Sequence, residues 1–175
     1  MEPTDDRSDR RRLLRIYLND HLMGSAGGIE LCRRSLRSNH GTPLGTFLTD
    51  LLRQIIEDRR SLEDLMARMG FPVDRLKLVA ASAGEKVGRL KFNGQLLGYS
   101  DLSRLLELEG LYAGVTAKQR LWLSLREIAA SYPQLSATDF DQLVERAASQ
   151  LEGLEQHRRE AARTAFGAPA RTPEA

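Results

Sequence analysis

The sequence predicts an all-α fold, an antiparallel four-helix bundle with an additional shorter helix between the second and fourth long segments. Apolar residues recur at spacings of three and four through four long segments, as on one face of an amphipathic helix. Aromatic residues make up only 6% of the chain, whereas Leu, Ala, Arg and Glu are common, which favours helices. We expect one domain over residues 9–166, with disordered ends at 1–8 and 167–175.

The composition argues against several classes of protein. A net charge of +2 over 175 residues is too small to imply nucleic-acid binding by itself. Cys32 is the only cysteine, so the chain forms no internal disulfide and no cysteine-based zinc site. No run approaches the ~18 apolar residues of a membrane span, and the N-terminus lacks the apolar core of a signal peptide. We therefore expect a cytoplasmic protein with neither a membrane nor a nucleic acid as partner.

The segment at residues 13–36 is the predicted packing centre of the bundle. One helical face carries its apolar residues, which are Leu14, Leu18, Leu22, Ile29, Cys32 and Leu36. His21 and a glycine-rich waist at 24–28 interrupt this stripe, although a glycine costs about 1 kcal/mol relative to alanine in a helix. Because the stripe resumes in phase, we predict one helix beginning near residues 8–9, with a thin waist that allows close packing.

Local signals delimit the next segments. An Asn-His-Gly run at 39–41 ends the first helix, and Thr42 with Pro43 begins the second. A Gly-Phe-Pro run at 70–72 ends the second helix. The shorter helix is expected over 73–91, where a ridge of small residues again suits close contact, namely Ala80, Gly84 and Gly88.

The fourth segment, residues 101–130, follows a capping serine at position 100. Its first half places one set of residues on a common face: Leu102, Leu105, Leu106, Glu109 and Tyr112. Its second half places Val115, Trp122, Leu125 and Ala129 more than a quarter turn away. Either the helix kinks near Gly110 and Gly114, or it is a central helix buried on two sides. The last helix begins at 136–139 and ends at Phe166.

The number, length and order of these segments over residues 10–166 resemble the ferritin-like superfamily, and in particular bacterial members with degenerate metal ligands. The resemblance implies four long helices, with the shorter helix in a long crossover, and in many members a di-iron site. That site needs Glu-x-x-His on two helices, and none of the three histidines has an acidic residue three positions earlier. We therefore expect no metal or other cofactor; an altered site would use Glu63, Glu109, Glu155 and a histidine.

Polar residues that interrupt the apolar faces are the candidate site residues: His21, Asp58, Arg59, Glu109 and Arg158. Helix heights at about 1.5 Å per residue place His21 level with Asp58, and Glu109 level with Arg158. We predict two buried polar pairs in separate layers, which fix the helices that face each other. The alternative is a pocket in which Glu109 and Arg158 hold a polar ligand.

Three functions remain open from the sequence. We prefer a non-catalytic structural or interaction module, most simply a homodimer, because neither a phosphate-binding loop nor a nucleophile motif is present. The second is a ferritin-like metal-dependent oxidoreductase with altered ligands. The third is anion or nucleic-acid binding, through the arginines at 10–12 or through a basic cluster formed by Arg75, Lys86 and Arg89.

Overall fold

The computed structural model describes residues 3–74 and 99–167. These residues form four long helices and no strand, so the all-α prediction is confirmed for this part of the chain. The helices are α1 (Pro3–Ser38), α2 (Pro43–Arg68), α3 (Asp101–Ile128) and α4 (Phe140–Phe166), and two 3-10 turns (Ala129–Ser131 and Pro133–Leu135) join α3 to α4. The predicted shorter helix and its ridge at Ala80, Gly84 and Gly88 lie outside the described residues.

Capping residues begin three of the helices, and two of these caps, Thr42 and Ser100, are predicted from the sequence. Thr42, Ser100 and Asp139 each accept a hydrogen bond from the backbone N–H three residues later, which satisfies a donor that the helix cannot pair. Gly41 and Gly70 adopt φ values of 76° and 67° after α1 and α2. This left-handed conformation is easily reached only by glycine, and it turns the chain out of each helix.

The helix α1 begins at Pro3 rather than at residue 9, so the predicted disorder of 1–8 is corrected for residues 3–8. Proline suits the first helical turn, and Arg10 Nε donates to Asp6 Oδ1 at 2.9 Å. Arg11 donates to the Met69 carbonyl and stands 4.7 Å over the Phe71 ring. The first turns of α1 are therefore held against the end of α2.

Helix α3 is continuous from Asp101 to Ile128, and its predicted change of phase is wrong. Glu109, Leu102 and Leu106 are exposed by 47%, 39% and 40%. At 100° per residue its buried apolar residues spread over about 200° of the helix circumference; they are Leu105, Leu108, Leu111, Val115, Leu121, Trp122 and Leu125. Leucines cover several sides of the first half of α3, so their spacing alone did not identify the buried side.

Two apolar clusters fill the core. The first contains Leu14, Leu18, Leu22, Leu62, Leu65, Met66, Met69, Phe71, Leu121, Trp122, Leu125, Leu135, Phe140 and Leu143. The second contains Ile29, Cys32, Leu44, Leu48, Leu51, Ile55, Leu105, Leu108, Leu111, Val115, Ala147, Leu154 and Ala161. Between them along the helices lie the glycine-rich waist of α1, Asp58 and Arg59 of α2, Lys118 of α3 and Arg146 of α4, which we call the polar layer.

Asn19 of α1 and Asn39, in the turn between α1 and α2, hold the chain on either side of residues 75–98. Asn19 Oδ1 accepts from the Asp74 backbone N–H at 2.8 Å. Asn39 Nδ2 donates to Tyr99 Oη at 2.8 Å, and Asn39 Oδ1 accepts from Arg104 Nε at 2.9 Å. These anchors are about 30 Å apart along α1 at the helical rise per residue. Within the described ranges, no helix is both long and apolar enough to cross a membrane.

Candidate functional site

A cavity of about 150 Å³ opens between α1, α2 and α3 at the level of the polar layer, and we call it the waist cavity. Its lining comes from the glycines and small residues of α1 and α3, from apolar side chains, and from a few polar ones. The lining residues that the argument uses are Gly24, Gly28, Gly114, His21, Arg59, Lys118 and Trp122.

The waist of α1 leaves open space rather than closely packing a neighbouring helix. Among the described residues, a Cβ atom built on Gly24, Gly28 or Gly114 would meet nothing within 4 Å, whereas one on Gly110 would lie 3.0 Å from Leu31 Cδ2. The predicted close contact at the waist is therefore wrong, because glycines of α1 and α3 line the same space. Neither helix contributes a side chain to fill it.

Asp58 is the most buried acidic group of the polar layer, with a side chain that is only 2% exposed. Its carboxylate forms ion pairs with Lys118 of α3 and Arg146 of α4. Gln150 of α4 donates through Nε2 to Asp58 Oδ2 at 3.3 Å and to Gln54 Oε1 at 2.9 Å. Burial lowers the pKa of Lys118, although the charge and hydrogen bond of Asp58 oppose this shift.

His21 is predicted from the sequence to pair with Asp58 or with its neighbour Arg59, and neither contact is found among the described residues. All three residues line the waist cavity, but no hydrogen bond or ion pair joins His21 to the other two in this part of the chain. Instead, the His21 ring meets the edge of Tyr17, with 4.6 Å between ring centroids. Burial lowers the pKa of His21, and the nearby charge of Asp20 opposes this shift.

Arg59 connects α2 to the waist of α1. Its Nη1 atom donates to the Leu22 carbonyl at 2.9 Å and to Ser25 Oγ at 2.7 Å. Its Nε atom lies 2.9 Å from Glu63 Oε1, and the Arg59 side chain is 19% exposed. The carbonyl of Leu22 also accepts from Ser25 Oγ at 2.6 Å. The guanidinium is therefore fixed at the wall of the cavity.

Trp122 supplies a buried donor to this region. The residue lines the waist cavity and is 1% exposed. Its indole Nε1 atom is buried and finds no hydrogen-bond acceptor among the described residues. A buried donor without an acceptor costs about 1–3 kcal/mol of stability, and because this atom has almost no accessible surface it does not border the open space of the cavity.

The predicted pair of Glu109 and Arg158 forms an ion pair but is not buried. Arg158 Nη1 lies 3.9 Å from Glu109 Oε1, and the two side chains are 30% and 47% exposed. The closer partner of Arg158 is Glu155, at 2.7 Å. Hydrogen bonds from Arg158 and Arg159 lower the pKa of Glu155 to about 2. Neither Glu109 nor Arg158 lines the waist cavity.

The three proposed metal ligands face arginines rather than one another. Glu63 pairs with Arg59, Glu109 with Arg158, and Glu155 with Arg158 and Arg159. Over residues 3–74 and 99–167, no group of three or more His, Cys, Asp or Glu side chains is placed to hold a metal ion.

The remaining charged and nucleophilic predictions fall outside the waist cavity. The proposed anion-binding residues Arg75, Lys86 and Arg89 lie outside the described residues. Burial raises the pKa of the Cys32 thiol to about 12, and Sγ donates to the Leu48 carbonyl at 3.6 Å. A thiol with so high a pKa is a poor nucleophile at neutral pH.

A second cavity, of about 200 Å³, lies near the turn between α1 and α2. Its polar groups are already paired with each other or with neighbours: Arg104 donates to Asn39 and Asp101, and His157 stacks on Phe47 with 4.9 Å between ring centroids. The waist cavity, which combines open space and apolar walls with the cationic side chains of Arg59 and Lys118, is therefore the stronger candidate.

Lys118, Arg146 and Gln150 were not identified from the sequence as site residues. Lys118 and Gln150 each lie three residues after a buried apolar residue, Val115 and Ala147. That spacing was the available signal, because it places a polar side chain on the buried stripe. No family model, curated protein or solved structure matches this chain, so the site is interpreted from its own geometry.

Proposed function

We propose that this protein is a non-catalytic helical bundle that binds a small ligand with an apolar body in the waist cavity. The observation that carries the proposal is the free space at Gly24, Gly28 and Gly114. Each glycine costs about 1 kcal/mol relative to alanine inside a helix. Gly24 and Gly114 are exposed, so the waist cavity is open to solvent, and among the described residues no contact at the three positions requires a glycine.

The size and walls of the cavity support a ligand about as large as one aromatic ring. An apolar cavity of roughly 150 Å³ in another protein accepts benzene, and the waist cavity has about the same volume. Its apolar walls come mainly from Ile55, Leu62, Leu111, Val115 and Leu121. Apolar walls with a few fixed polar groups are typical of small-molecule binding sites.

The polar groups of the layer support binding rather than catalysis. The Asp58 carboxylate is held by Lys118 and Arg146, so it does not stand free as a general base. The Cys32 thiol is buried, and its pKa is raised to about 12. The metal-dependent and nucleic-acid-binding alternatives gain no supporting contact from the described residues, and they stay predictions.

We further propose an antiparallel, ferritin-like layout for the bundle. Contacts between α1 and α2 support opposite directions, because residue numbers rise along α1 while those of the partners fall along α2. The contacts join Arg11 to Met69, Leu22 to Arg59 and Cys32 to Leu48. The anchor at Asn19 lies near the middle of α1 and the anchor at Asn39 just after its end, and this separation supports a long crossover between α2 and α3. The homodimer and the cytoplasmic location stay predictions from the sequence.

The experiment tests the cavity with benzene and toluene as probes. Trp122 is the only tryptophan of the chain and lines the cavity, so its fluorescence reports on occupancy. We expect a saturable change in fluorescence and a rise in Tm, because a ligand that binds only the folded state stabilises it. Gly114→Leu fills the cavity and should abolish both effects.

Ala113→Leu is the matched control, because Ala113 is the neighbouring residue of α3 and is exposed. It should bind the probes as the native protein does. The proposal is overturned if neither probe binds the native protein, or if Gly114→Leu binds them with unchanged affinity while remaining folded by circular dichroism.

A further inference from the structure

We propose that the natural ligand of the waist cavity is a small carboxylic acid, bound as its carboxylate with its apolar body against the walls. This inference rests on the proposed ligand-binding function and adds the chemical class of the ligand. Three features support it: the charge of the lining, the unused hydrogen-bond donors, and the volume left for the body of the ligand.

Cationic side chains outnumber anionic ones in the lining of the cavity. Arg59 and Lys118 line it, whereas Asp58 is the only acidic residue among the described residues that does. Arg146 of α4 forms an ion pair with Asp58 and also lies 3.6 Å from Glu57 Oε2. Glu63 pairs with Arg59 but is 40% exposed and does not line the cavity. The lining therefore favours an anion over a neutral or cationic ligand.

Two cationic side chains of the lining keep N–H groups beyond those used in their described contacts. Arg59 uses Nη1 and Nε for its described contacts, which leaves the N–H groups of Nη2. The Lys118 ammonium has three N–H groups, and its described acceptors are Asp58 and Gln150. Unused donors at a cationic wall match the two acceptor oxygens of a carboxylate.

The volume limits the body of the acid. At about 150 Å³, the cavity accepts one aromatic ring or a short branched chain, but not a long acyl chain. The apolar walls make a compact hydrocarbon body more suitable than a hydroxylated one, because buried hydroxyl groups without partners are costly. Benzoate therefore represents the ligand class as a probe.

The experiment compares benzoate with benzyl alcohol, which has the same ring and lacks the charge, by titration calorimetry and Trp122 fluorescence near neutral pH. We expect the native protein to bind benzoate at least about tenfold more tightly, since a hydrogen bond to a charged group contributes more than a neutral one. Arg59→Gln should remove most of this preference, because benzoate loses more affinity than benzyl alcohol does.

Arg53→Gln is the matched control, because Arg53 lies on α2, is 60% exposed and does not line the cavity. It should keep the preference for benzoate. If the native protein binds benzoate and benzyl alcohol with equal affinity, the carboxylate class is overturned and the proposed ligand-binding function stands. If it binds none of benzoate, benzyl alcohol, benzene and toluene, the carboxylate class and the proposed function are both overturned. If Arg59→Gln fails to fold, Lys118→Met replaces it, and an unchanged preference in that variant contradicts the inference.

Discussion

At the scale of single residues, Asp58 organises the polar layer. A carboxylate in an apolar core is costly unless charged and hydrogen-bonding partners surround it. Here Lys118 and Arg146 supply the charges and Gln150 supplies a hydrogen bond, so one side chain links α2 to both α3 and α4. Such a network need not stabilise the fold more than apolar packing would, but removing one partner leaves the others buried and unpaired.

We therefore expect Asp58→Asn to lower the free energy of unfolding by about 3–5 kcal/mol, measured by urea denaturation. Asp141→Asn is the control, because Asp141 also pairs with an arginine, Arg126, but is 81% exposed. Exposed ion pairs contribute little, so the control should unfold at nearly the native urea concentration. If both substitutions lowered the free energy of unfolding by the same amount, water would already reach the hydrogen-bonded network around Asp58.

Part of this site was predictable from the sequence. Asp58 interrupts an apolar stripe, and its burial follows from that position. Its partners did not follow, because heights along ideal helices favoured His21, whereas the long side chains of Lys118 and Arg146 reach Asp58 from other helices. Spacing indicates the side of a helix on which a residue lies, but not which of several cations across the core reaches it.

At the scale of helices, the glycines have opposite roles. In α1, a Cβ atom at Gly28 would meet nothing within 4 Å. In the first turn of α2, a Cβ atom at Gly45 would lie 2.3 Å from the Asn39 carbonyl oxygen. The second glycine permits the tight turn between α1 and α2, whereas the first is not required by packing.

These contacts predict opposite effects of alanine. Gly28→Ala should raise the free energy of unfolding by up to about 1 kcal/mol, because alanine is the better helix former. Gly45→Ala should lower it, because the methyl group collides with backbone. Urea denaturation of the two variants, both from glycine to alanine within a helix, measures the difference. A loss of stability in Gly28→Ala would contradict the free space at the waist.

Helix ends were more predictable than helix faces. The caps at Thr42, Ser100 and Asp139 depend on hydrogen bonds between residues three apart in sequence, so a short sequence window contains all the information. The buried face of α3 depends on its neighbours instead. Leu102 and Leu106 fit a helical stripe as well as Leu105 and Leu108 do, and only packing distinguishes them.

At the scale of the whole molecule, the polar layer separates two apolar clusters, and the waist cavity lies between them. At this level the apolar pattern of each helix is interrupted: α1 is glycine-rich, while α2, α3 and α4 contribute Asp58, Lys118 and Arg146 respectively. The number of helices follows from local periodicity. The alignment of the interruptions in one layer depends on how the helices are shifted along one another, which no single segment encodes.

The stability of the whole bundle should depend on pH through two histidines. Burial lowers the pKa of both His21 and His157, and Asp20 and Glu160 respectively oppose the shift. The unfolded chain therefore binds protons more readily than the folded protein, so stability is complete above the ordinary histidine pKa of 6.5 and is lost as the pH falls through the lowered values. Tyr17 faces His21, and Arg59 and Lys118 line the same cavity, so protonation of His21 adds a cation to a positive wall.

We expect the free energy of unfolding to decrease between about pH 7.5 and about pH 5.5, the range in which histidines titrate. Urea denaturation at several pH values measures it for the native protein and for a variant with His21→Gln and His157→Gln. The variant should lose most of this decrease, whereas His40→Gln should retain it because His40 is exposed. A decrease of equal size in the double variant would mean that carboxylates cause the pH dependence. Glu155 would not be one of them, because its pKa of about 2 keeps it charged in this range.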